Sequence, residues 1–252
     1  MSDAAGRADV PAVDLGGQAV GWLSLRGATV AQADLTGLTI AEGLLGATLR
    51  GAPEGLTVNG FDVAALIWDE LVRRDPPRAL TRSARLDDLR DAWSLITERW
   101  RATEARAARL GDTARDERVA GEWSFAETLR HLVFVTDAWV GRVVLGLAAP
   151  YHAASLPPSF LPDMSAAGID VRRPWDFDEV LTARRERQAL VDRLLAGLAD
   201  ADLERVCGEN AAFGFPPVST VPVIQCLHTV LDEEWAHHGY AVRDLTALES
   251  RS

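Results

Sequence analysis

The stretch that decides the fold is DEEWAHHGYAVRDL, Asp232–Leu245. At about 100° per residue, Ile224, Leu227, Leu231, Trp235, Val242 and Leu245 fall in one stripe. The spacing predicts a helix from about Thr220 to Leu248 that buries this stripe against other helices. Glu234 and His238 sit at the edge of the stripe, one turn apart, while Glu233 and His237 turn to the other side. A carboxylate on a buried edge is costly unless a cation faces it. The helix therefore poses a chemical question as well as a structural one.

Working back along the chain, three more long helices are expected. Leu89, Trp93, Ile96 and Trp100 form one stripe of a helix that runs to about Leu110. Ser124 and Glu127 spell a capping box before an apolar run that reaches Leu147. Asp176, with Glu179 three residues on, opens a helix to about Leu198. The proline-bearing loop after Leu147 and ENAAFGFPPVST, Glu209–Thr220, are too long for tight hairpins. Four long helices with two sizeable loops predict a mainly α chain, a four-helix bundle over residues 83–252.

The N-terminal part has another texture. In LSLRGATVAQADLTGLTIAEGLLGATLRG, Leu25, Val30, Leu35, Ile40 and Leu45 recur at every fifth position. This is similar to a pentapeptide repeat and covers about one coil. It predicts a small β-rich appendage over 1–60, which needs a surface to lean on, since repeats bury a core only by stacking. An irregular apolar arm with short strands is the other reading. Asn59-Gly60 signals a turn. Asp62 caps a short helix to about Arg74, stopped by Pro76-Pro77, so 61–82 reads as a linker.

Composition excludes several functions. The net charge of −11 and the lack of an arginine-rich run argue against a nucleic-acid partner. Every basic residue is arginine, which removes phosphate-loop and Schiff-base lysine chemistry. The opening MSDAAGRADV has no apolar segment, and no apolar run is long enough to cross a membrane. A cytoplasmic protein that keeps Cys207 and Cys226 reduced is expected.

Only five histidines are present, so candidate ligands are few. His131 lies in the apolar setting TLRHLVFV on the second helix. Together with Glu234 and His238 it would give a three-ligand metal site with open positions, of the kind used by catalytic zinc or by the two-histidine, one-carboxylate iron sites. Pairing of Glu234 with Arg184 or Arg185 is the structural alternative. His228 reads as a pocket or core residue, Trp235 as a core anchor, and Glu233 with Arg243 and Asp244 as a solvated face. His237 reads as outward, although a modest rotation of the helix would exchange it with His238.

WSFAETLRHLVFVTDAW together with CLHTVLDEEWAHHGYAVRDL resembles the DinB-like superfamily, in its DinB-2 branch, over about Leu86–Leu248. That superfamily includes mycothiol-dependent maleylpyruvate isomerases and S-transferases that use bacillithiol, mycothiol or glutathione. The resemblance implies a four-helix bundle with a metal held by one histidine of the second helix and a pair of residues spaced H-x-x-x-H on the last. Carried onto this chain, these are His131, Glu234 in place of the more usual histidine, and His238. Glutamate makes the set harder and more anionic, which favours iron, manganese or nickel over zinc. The resemblance further implies a low-molecular-weight thiol and a small electrophile as partners, S-transferase or isomerase chemistry, and a homodimer. Two other functions remain open at this point: a stress-linked or interaction protein on the same scaffold, and metal-assisted hydrolysis.

Overall fold

A computed structural model describes residues 16–18, 38, 55–210, 213–216 and 220–251. The expected β-rich arm over 1–60 lies outside them except at 16–18, 38 and 55–60. The first described element is a hairpin, β1 (Thr57–Val58) paired antiparallel with β2 (Phe61–Asp62). Its turn residues Asn59 and Gly60 both have positive φ, 51° and 79°, as a tight two-residue hairpin turn requires. Asp62 then caps α1 (Val63–Arg74), its Oδ1 accepting from Ala64 N at 2.8 Å.

Four long helices follow. They are α2 (Leu86–Leu110), α4 (Phe125–Thr136), α5 (Phe177–Gly197) and α6 (Val223–Glu249), with a short α3 (Asp112–Asp116) between the first two. α2 packs on α6, α6 on α4, and α4 on α5. The core is built from the stripes that the periodicity marks: Leu89, Trp93, Ile96 and Trp100 of α2, and Leu227, Leu231, Trp235 and Leu245 of α6. Each such side chain contributes roughly 1.5–3 kcal/mol by leaving water. Both expected capping boxes form. Ser124 Oγ accepts from Glu127 N at 3.2 Å while Ser124 N donates to Glu127 Oε2 at 2.9 Å, and Asp176 N donates to Glu179 Oε2 at 3.1 Å.

Two segments depart from the sequence reading. Residues Pro76–Arg82, read as linker, wind into a tight 3-10 helix that packs on α2 and α6. Asp75, just before it, accepts two hydrogen bonds from Arg99 of α2, at 2.6 and 2.9 Å, and one from Trp235 Nε1 of α6 at 2.8 Å. Thr81 Oγ1 donates to Asp232 Oδ1 of α6 at 2.9 Å. The second departure is in the expected second helix, which changes winding at Thr136 and continues as a π-helix over Asp137–Val144. Leu145 N there donates to the carbonyl five residues back, Val140 O, at 3.0 Å. Hydrophobic spacing does not encode that change, because both windings keep the run buried.

The long loop after the π-helix runs back alongside α4. A Cβ on Gly141 would stand 3.2 Å from Pro150 Cβ, so a residue without a side chain lets the returning chain pass. Leu156 N donates to Arg130 O at 3.1 Å, and Arg130 Nε donates to Ala154 O at 2.8 Å. No described helix is long and apolar enough to cross a membrane. Cys207 and Cys226 are buried and free.

Candidate metal centre

The phase of α6 settles which of its acids and histidines face which neighbour. Because α6 packs on both α2 and α4, its buried arc has two flanks, and each flank carries one Glu and one His at i, i+4. The flank with Glu234 and His238 does not reach His131. Glu234 is buried and ion-pairs with the buried Arg184 of α5, the alternative partner that the sequence offered. His238 faces α2. Its Nε2 lies 3.0 Å from Thr103 Oγ1, a hydroxyl that also lies 3.0 Å from Arg99 O. The ring stands edge-on to Trp100 at 5.1 Å. The expected ligand set His131, Glu234 and His238 is therefore not assembled: two of its members are committed to α5 and α2.

The other flank meets His131. Glu233, read as part of a solvated face, and His237, read as outward, turn toward α4 instead. Glu233 Oε2 lies 3.5 Å from His131 Nε2 and 3.0 Å from His237 Nε2. One ligand atom from each of the three falls within 4.8 Å of the others. Atoms bound at about 2.0–2.2 Å to one cation stand about 3.0–3.5 Å apart, so the two Glu233 distances already match a shared ion. Around the group, Trp123 packs on the ring of His131 at 4.5 Å and stacks with that of His237 at 5.9 Å, and Tyr240 meets His237 edge-on at 5.6 Å.

The hydrogen bonds decide whether a cation fits. His131 Nδ1 lies 3.1 Å from Leu156 O, and a carbonyl can only accept, so Nδ1 carries a proton. Burial pushes the His131 pKa below its ordinary value, which keeps the ring neutral near pH 7 and Nε2 a bare lone pair. A lone pair and a carboxylate oxygen thus confront each other at 3.5 Å, an arrangement that a positive ion between them relieves. Two imidazoles and one carboxylate suit zinc, iron, manganese or nickel, and three protein ligands leave coordination positions open.

The sequence reading missed Glu233, His237 and Trp123. The E-x-x-x-H spacing that pointed to the pair 234 and 238 is present equally in 233 and 237, so spacing could have found them but could not rank them. Trp123 precedes the Ser124 cap and carries no pattern of its own.

The family model of the DinB superfamily matches residues 95–241, which include His131, Glu233 and His237. The match spans more than half of the chain, and the chain belongs to that superfamily. No curated protein and no solved structure matches it.

Proposed function

We propose that this member of the DinB superfamily is a metal-dependent enzyme that joins a low-molecular-weight thiol to a small electrophile, as a transferase or isomerase. The observation that carries the reading is the approach of His131, Glu233 and His237, one ligand atom of each lying within 4.8 Å of the others. His131 and His237 supply neutral nitrogens and Glu233 one negative charge, so a bound divalent ion keeps net positive charge. That ion would lower the pKa of a thiol at an open position and make it a nucleophile near neutral pH. The chain's own contribution is to hold the three donors and to wall the site with Trp123, against which a flat electrophile can stack.

The test is thiol consumption by metal-loaded and metal-stripped protein, with an activated aryl halide and an α,β-unsaturated acid as electrophiles and a panel of cellular thiols. The expected result is turnover that needs both the metal and the thiol and is lost in Glu233→Gln. Turnover that survives full metal removal overturns the reading. Hydrolysis of activated esters without thiol, at comparable rate, would place the chemistry with metal-assisted hydrolysis instead.

A further inference from the structure

We infer that Asp137 is a positioning residue for His131, acting through the loop segment 152–156. Asp137 opens the π-helix and is buried. One of its carboxylate oxygens, Oδ2, accepts from His152 N at 2.7 Å and from Ser155 Oγ at 2.9 Å. The other, Oδ1, accepts from Arg187 Nε of α5 at 2.5 Å. The acid therefore fastens the returning loop to α4 at one end and is itself fixed by α5.

The far end of the same loop segment carries the atom that matters. Leu156 O accepts from His131 Nδ1 at 3.1 Å. Leu156 N and Ala154 O are tied to Arg130, the residue before His131, so the segment is held beside the histidine on both sides. Which ring nitrogen of a histidine is bare is set by the bond that the other makes. The carbonyl that makes this bond sits on a loop, and a loop carbonyl selects one tautomer only if the loop is held still. In this fold Arg130 fixes the segment beside the histidine, and Asp137 fixes it at His152 and Ser155. A metal-ligating histidine is commonly oriented by such an outer hydrogen bond, and loss of that bond weakens metal binding by about 10–100-fold.

The inference rests on the proposed metal site for its consequence but not for its geometry, so two separate readouts are used. The first is nitrogen NMR of the His131 ring in the metal-free chain. In the parent, Nδ1 is expected to be protonated and Nε2 bare. In Asp137→Asn and, more mildly, in Ser155→Ala, the two tautomers are expected to mix. The second readout is zinc affinity by competition with a chelator, where Asp137→Asn should bind about 10-fold more weakly, the low end of the range for outer-shell partners. Variants with a lower melting temperature but the parent's His131 tautomer and zinc affinity would overturn the proposal, since Asp137 would then only stabilise the loop. Should Asp137→Asn not fold, Ser155→Ala decides by the same criteria. A parent that binds no zinc would count against the metal site, and the tautomer readout would still decide the role of Asp137.

Discussion

Glu233 and Glu234 are neighbours in sequence with different tasks. Glu234 and Arg184 are both fully buried, and Arg184 Nε and Nη1 and Glu234 Oε1 have no hydrogen-bond partner. Burying two charges together is at best near balance, whereas stranding one of them is costly. Glu234→Gln is expected to lower the unfolding free energy by about 3–5 kcal/mol in urea titrations. The double substitution Arg184→Met with Glu234→Leu should recover most of that loss. An unchanged midpoint in the single variant would show that the pair does not hold the interior. His238 yields a pH prediction. Burial puts its pKa below the ordinary 6.5, so just below pH 6.5 the folded chain binds fewer protons than the unfolded one. Stability therefore rises with pH up to about 6.5 and then levels off at this residue. His238→Gln should flatten the slope between pH 5 and 6.5 in metal-free protein, and an unaltered slope would contradict the assignment. At this scale the sequence was half legible. It marked His131 and the i, i+4 acid and histidine pairing, but it offered two such pairs and could not say which faced α4.

At the scale of elements, the helix starts were the most legible feature, because a capping box writes itself in local sequence. Ser124 and Glu127 cap α4 as expected, close to the turn that carries His131. Ser124→Ala should cost about 1 kcal/mol, measured by thermal or urea unfolding. A neutral effect would mean that the tertiary contacts of α4 fix its start without the cap. The 3-10 helix Pro76–Arg82 and the π-helix Asp137–Val144 were not legible. The first is held by contacts remote in sequence, from Asp75 to Arg99 and Trp235 and from Thr81 to Asp232. The second coincides with Asp137, whose side chain is spoken for by a loop and by α5. Long-range hydrogen bonds accompany both segments, and no window of neighbouring residues contains them.

For the whole molecule, four periodic helices and two long loops were enough to predict a bundle, since their apolar stripes can be buried only against one another. Periodicity says which residues go inward. It does not say in what order the helices stand around the core, and that order gives each flank of α6 its partner. Because α6 lies between α2 and α4, one flank is left for structure and the other for His131. The candidate metal site is therefore a property of the arrangement rather than of any one helix. The measurement that tests this most directly is the metal content, by elemental analysis, of four purified proteins: the parent, Glu233→Gln, His237→Gln, and the double variant Arg184→Met with Glu234→Leu. About one metal ion per chain is expected in the parent and in the double variant, as for a single three-ligand site, and little in the other two. Metal lost from the double variant and kept in Glu233→Gln and His237→Gln would contradict it and return the ligand role to Glu234.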